Sequence, residues 1–101
     1  MYLFASGRGP GYTIQIDWTW GRGFLDSARV EIDGVVVGIL EPYGSQYVAG
    51  FRVEEGEHRV RVLREGCEGV TETVTLGARE SRLAVLMADV DDSFRCRVLL
   101  R

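Results

Sequence analysis

The chain has 101 residues, 46% of them apolar and 27% charged, with a formal net charge of −3. That is the size of one domain, residues 1–101, with enough apolar matter for its own core. It excludes a disordered chain and leaves disulfides and metals optional. The acidic balance lacks the positive patch on which nucleic-acid binding leans, so no nucleic-acid partner is expected. All twelve basic residues are arginine, with no lysine and no asparagine. We read this as codon bias in a GC-rich genome, because arginine gives no general advantage at every exposed site.

No stretch approaches the ~20 apolar residues of a membrane-spanning helix. The start M-Y-L-F-A-S-G-R has neither the basic n-region nor the apolar length of a secretory leader. A cytoplasmic chain is expected, or an extracytoplasmic one if a leader has been removed. Cys67 and Cys96 match no metal-ligand spacing. With no visible leader they are expected as two buried free thiols in a reducing compartment.

In chain order, Met1 to Ala5 reads as a short edge strand, and the glycines and proline of residues 7–11 end it. Residues 12–20, Y-T-I-Q-I-D-W-T-W, alternate cleanly, with Tyr12, Ile14, Ile16, Trp18 and Trp20 on one face. Gly21-Arg22-Gly23 ends that strand, and Phe24 to Ser27 is a connection with room for one helical turn. Ala28 to Ile32 alternates again. Asp33-Gly34 is a preferred two-residue hairpin turn, because both central positions take positive φ. Val35 to Leu40 is apolar on both faces. It is either a central strand or an edge that pairs with a second copy.

Glu41-Pro42-Tyr43-Gly44 is a turn, and Gln46 to Val53 a looser strand interrupted by Gly50. A turn at Glu54-Glu55-Gly56 opens the strand to Leu63, which sets His58, Val60 and Val62 against Arg59 and Arg61. Glu65 to Gly69 reads as a turn. Val70 to Leu76 is a strand with Thr71, Thr73 and Thr75 outward. Glu72 shares its inward face, which places it at a rim or an edge. In Arg82 to Ala88 the residues Leu83, Val85 and Met87 are expected inward. Asp89 to Ser93 reads as an acidic turn. Phe94 to Leu100 is the last strand, with Phe94, Cys96, Val98 and Leu100 inward. About seven to eight short strands, with turns every eight to twelve residues and no 3.6-residue period, predict an all-β antiparallel sandwich.

Residues 28 to 87 carry a further pattern. A-R-V-E-I-D-G at 28–34 leads to Gly38 and E-P at 41–42. G-E-H-R-V-R-V at 56–62, V-T-E-T-V-T-L at 70–76 and R-L-A-V-L at 82–86 follow. Together they resemble the PEGA-type domain and the small bacterial Ig-like or transthyretin-like sandwiches. The order Glu41-Pro42-Tyr43-Gly44 and the residue Cys67 depart from that pattern. The resemblance implies an Ig-like or transthyretin-like fold and a non-catalytic module that binds or spaces other proteins.

His58 has no second histidine and no C-x-x-C to form a metal or catalytic set with. D-V-D-D-S at 89–93 clusters hard oxygens but lacks the glycine and closing glutamate of a calcium loop. Gly7-Arg8-Gly9 and Gly21-Arg22-Gly23 are not followed by the G-K-S/T of a phosphate loop. Arg59, Arg61, Arg95 and Arg97 line up as a stripe only if their strands adjoin. No cofactor and no enzymatic activity are expected, since no paired acid and base, nucleophile or metal set exists. The expected role is a protein-interaction or structural module of a larger bacterial assembly, with homo-oligomerisation through an edge strand. Its candidate contact residues are Tyr12, Trp18, Trp20, Val35, Val37 and Tyr43, as aromatics and apolar edges dominate such contacts. The alternative is a small-ligand or carbohydrate binder that stacks its ligand on Tyr12, Trp18 and Trp20.

Overall fold

The computed structural model describes residues 11–77, 82–93 and 95–101. The edge strand expected at Met1 to Ala5 and the inward Phe94 lie outside these residues. Nine strands are described: β1 Tyr12–Asp17, β2 Arg29–Ile32, β3 Val35–Ile39, β4 Val48–Val53, β5 Gly56–Leu63, β6 Glu68–Gly69, β7 Glu72–Leu76, β8 Leu83–Asp91 and β9 Arg97–Leu100. A 3-10 turn, Thr19–Gly21, follows β1. The strands form a five-stranded sheet, β4-β1-β8-β9-β6, and a four-stranded sheet, β3-β2-β5-β7.

Alternation in the sequence produces the core. Tyr12, Ile14 and Ile16 of β1 face Val30 and Ile32 of β2 and Val60 and Val62 of β5. Trp18, Leu25, Leu40, Leu86, Val98 and Leu100 complete the core, and all of these side chains are buried. Each large apolar side chain removed from water contributes about 1.5–3 kcal/mol. Trp18 is fully enclosed. Its indole N–H donates to Asp26 Oδ1 at 2.9 Å, and its ring meets Tyr47 edge-on at 5.8 Å. The buried indole N–H therefore has the partner it requires.

Several expectations need correction. The sheets are not wholly antiparallel: β1 runs parallel to β8, and β6 parallel to β9. Each pair joins strands far apart in the chain, so the intervening segment crosses over and returns in the same direction. The helical turn comes at Thr19–Gly21, not at Phe24 to Ser27. The acidic turn at 89–93 is shorter than expected, because β8 continues to Asp91.

Cys67 and Cys96 are not free thiols; they form a disulfide. The parallel register pairs Glu68 with Arg97 and Gly69 with Val98. One step back along both strands places Cys67 opposite Cys96. Two residues of β6 make too short a strand to hold itself. The disulfide, with Glu68 N–H on the Cys96 carbonyl at 2.9 Å, fastens it. Gly69 is needed there, because a Cβ at that position would lie 2.7 Å from the Val62 carbonyl oxygen.

Candidate functional site

Among the described residues the two sheets have four edges: β4 and β6 in one, β3 and β7 in the other. An edge strand offers unpaired backbone groups to any passing strand, and proteins blunt it with charge. β4 carries Arg52, β6 Glu68 and β7 Glu72. β3, V-V-V-G-I, carries no charge at all. Its side chains are also outside the core: Val35 is 61% exposed, Val36 49%, Val37 44% and Ile39 44%. Among the described residues β3 is thus an edge and not a central strand, with exposed apolar groups along it.

The local sequence builds this edge. Asp33 and Gly34 take φ of 54° and 85°, the paired positive angles of a tight hairpin turn. Pairing then runs Ile32 to Val35 and Glu31 to Val36, but Val30 to Gly38. Val37 is therefore an extra residue, a β-bulge. Beneath the strand, Gly38 admits the Phe51 ring, whose Cε1 would lie 2.9 Å from a Cβ at that position. Beyond it, Leu40 is fully buried and exchanges backbone hydrogen bonds with Ser27 and Ala28. The edge is anchored at its far end by Leu40.

At the turn, Asp33 is the hub. Its Oδ1 accepts the Arg59 backbone N–H at 2.9 Å, and its own N–H donates to the Arg59 carbonyl at 2.8 Å. His58 Nδ1 donates to Asp33 Oδ2 at 2.6 Å, and His58 Nε2 donates to the Glu54 carbonyl at 2.7 Å. Both partners are acceptors, so both contacts are hydrogen bonds when the ring carries two protons, and together they favour the protonated form. Burial by itself pushes the His58 pKa down. The hydrogen bonds to Asp33 and Glu54, with the nearby charges, outweigh that and hold it above 6.5. Desolvation raises the Asp33 pKa, but the Arg59 N–H and the imidazolium more than offset this and hold it below 3.8.

Beside this hub the outer face of the four-stranded sheet forms an open dish of about 340 Å³, lined by Glu31, Asp33, Gly34, Arg59, Arg61 and Thr71. Arg61 donates from Nε and Nη2 to Glu31 Oε1, at 2.9 and 2.7 Å. Two carboxylates and two guanidinium groups leave the dish without a dominant charge. Among the described residues no three His, Cys, Asp or Glu side chains are placed to hold a metal ion. The arginine stripe does not form, because Arg59 and Arg61 lie on β5 and Arg97 on β9, in different sheets. Asp91 is occupied locally: its Oδ1 accepts the Ser93 hydroxyl and backbone N–H, which holds its pKa below 3.8.

The expected contact residues are not brought together. Tyr12 and Trp18 are in the core, so the three-ring stacking platform does not exist on the surface. Trp20 is 72% exposed, because the chain leaves the strand at Asp17. The Asp17 carboxylate accepts the Thr19 N–H and hydroxyl and turns the chain there. Val35 and Val37 lie on the β3 edge. Tyr43 is 82% exposed in the next turn, where it exchanges backbone hydrogen bonds with Gln46.

A second apolar surface was not anticipated. Leu83, Val85 and Met87, expected inward, point outward, while Leu86 and Ala88 enter the core. Their row continues to Trp20, which lines a hollow with Met87, Asp89 and Arg101. The stretch L-A-V-L-M-A is apolar on both faces, so its alternation does not say which face is inside.

Comparison of the chain with protein-family models, curated proteins and solved structures returns no match. Among the described residues no helix is long and apolar enough to cross a membrane.

Proposed function

We propose that this chain is a non-enzymatic protein-interaction or structural module, an accessory component of a larger bacterial assembly, that takes a partner strand onto β3. One observation carries the reading: among the described residues β3 is the sheet edge without a charged residue, and its valines and Ile39 are exposed. Strand addition draws affinity from backbone hydrogen bonds and selectivity from side chains on alternate faces. An apolar edge with both faces open offers each.

The pattern of residues 28 to 87 and the two facing sheets support an Ig-like or transthyretin-like sandwich of the PEGA type. The Cys67–Cys96 disulfide supports an oxidising compartment rather than the cytoplasm, since thiols are kept reduced there.

The test is a photo-crosslinking residue at Val36, compared with one at Thr73 on the β7 edge, in cells of the source organism. The reading predicts a discrete crosslinked product from position 36 and none from 73. No product at 36, or equal products at both positions, would remove it.

A further inference from the structure

We infer that His58 is a pH-sensitive latch between two turns: on losing a proton the ring gives up Glu54 and keeps Asp33, which frees the turn between β4 and β5. The inference stands apart from the reading of β3 as an interaction edge.

His58 is the one histidine of the chain. Its ring stands between two oxygens, with Nδ1 2.6 Å from Asp33 Oδ2 and Nε2 2.7 Å from the Glu54 carbonyl. Asp33 belongs to the turn between β2 and β3. Glu54 and Glu55 make up the whole connection from β4, in the five-stranded sheet, to β5, in the four-stranded sheet. The ring therefore ties the passage between the sheets to the neighbouring turn.

Counting donors shows what deprotonation does. The protonated ring has two N–H groups for two acceptors. The neutral ring has one, so its other nitrogen turns a lone pair toward an oxygen. Charge decides which contact fails. Asp33 is held ionised, with its pKa below 3.8, and a hydrogen bond to an ionised acceptor is roughly twice as strong as one between neutral groups. Nδ1 therefore keeps its proton, and the Nε2 lone pair faces the Glu54 carbonyl oxygen. The His58 side chain is 13% exposed, so water has little access to that contact unless the turn moves. Asp33 stays in place, because its Oδ1 and its own N–H are held by the Arg59 backbone at 2.9 and 2.8 Å, whatever the charge on the ring.

The charged groups around the ring among the described residues are Asp33, Glu54 and, through Asp33, Arg59. On β7, which pairs with β5, His58 lies opposite Val74, and the charged residue of that strand, Glu72, lies opposite Val60. Burial lowers the His58 pKa, but the contacts with Asp33 and Glu54 outweigh it and hold it above 6.5, which sets the release above that pH.

The experiment is NMR on the full chain, labelled with nitrogen-15, between pH 5 and pH 9. As His58 titrates, the proton is expected to stay on Nδ1 and leave Nε2. Order parameters of Glu54 to Gly56 are expected to fall from about 0.85, typical of rigid backbone, toward 0.6. Those of Asp33 and Arg59 are expected to hold. Asp33→Asn is the decisive variant, and asparagine tolerates the positive φ of 54° at this turn. Its amide oxygen takes the Arg59 N–H, so its amide N–H faces Nδ1 as a donor. The neutral ring then accepts at Nδ1 and donates from Nε2 to Glu54, with both contacts satisfied. In this variant the His58 titration is expected to move to lower pH, and the Glu54 turn to stay ordered up to pH 9. A neutral wild-type ring protonated on Nε2 overturns the inference, as does a Glu54 turn whose order is unchanged by pH. So do two turns that loosen together, or an Asp33→Asn variant whose Glu54 turn loosens like that of the wild type.

Discussion

His58 Nδ1 lies 2.6 Å from Asp33 Oδ2, and this contact ties the β2–β3 turn to the start of β5. The other ring nitrogen reaches back to the Glu54 carbonyl, at the connection from the five-stranded sheet. The His58 ring therefore holds together the turn that begins the exposed edge and the passage between sheets. Its folded pKa lies above 6.5, so its contribution is fully present below pH 6.5. It fades as pH rises through the folded value. Asp33, with a folded pKa below 3.8, contributes above that pH and loses its share as pH falls through the folded value. Chemical denaturation of wild type and His58→Gln should show the largest difference between these limits. The difference should be under about 1 kcal/mol, since Asp33 is half exposed, and should shrink above neutral pH. A difference that grows with pH would contradict the imidazolium.

The Cys67–Cys96 disulfide spans 29 residues of chain. Closing such a loop in the unfolded state is worth about 3–4 kcal/mol. Reduction should lower the denaturation midpoint accordingly, and loosen β6 and the start of β9 before the rest. Intact mass under native and reducing conditions, with thiol alkylation, checks the bond itself. Two alkylated cysteines without reductant would exclude it.

Gly69 has backbone, not a flexible side chain, where its Cβ would go: the Val62 carbonyl oxygen at 2.7 Å. Gly69→Ala should destabilise the fold by about 1–3 kcal/mol through overpacking. Gly34→Ala has open space around it, and its cost should come from the φ of 85° alone. Urea midpoints of the two variants separate a steric from a conformational penalty. Equal loss of stability with no shift in the β6 resonances of Gly69→Ala would argue against the close approach.

Trp18 and Trp20 are two residues apart and in opposite environments. Trp20→Phe should leave emission from Trp18 alone, blue-shifted and resistant to acrylamide. Trp18→Phe should leave red-shifted, readily quenched emission from Trp20. Trp18→Ala should cost about 3–5 kcal/mol, as truncation of a fully buried aromatic does. Similar quenching of the two single-tryptophan proteins would contradict the placement of either ring.

Legibility in the sequence follows the chemistry of each segment. The strand after Gly56 was readable because Arg59 and Arg61 are polar where Val60 and Val62 are apolar, and only one face can be wet. The Asp33-Gly34 turn was readable from its demand for positive φ. β8 was not, because apolar residues occupy both faces. The core takes Ala84 and Ala88 alongside Leu86, and leaves the bulkier Leu83, Val85 and Met87 outside. Trp20 was misplaced because period-2 alternation outran the strand. Asp17 and Thr19 carried a local sign of the turn, a carboxylate two residues before a hydroxyl. The disulfide was beyond reach, since it depends on a parallel β6–β9 register between segments distant in the chain. At β3 the sequence posed the alternative of centre or edge, and only the strand order resolves it.

Backbone hydrogen exchange of Val35 to Ile39, measured with and without the partner captured by crosslinking at position 36, tests most directly whether the β3 edge is the working surface. β4 and β7, the charged edges, are the reference. Pairing along β3 predicts that exchange in this strand slows when that partner is added, while the outward amides of β4 and β7 are unchanged. Exchange along β3 that is equally fast with and without the partner, or protection that appears at β4 or β7 instead, would contradict the account.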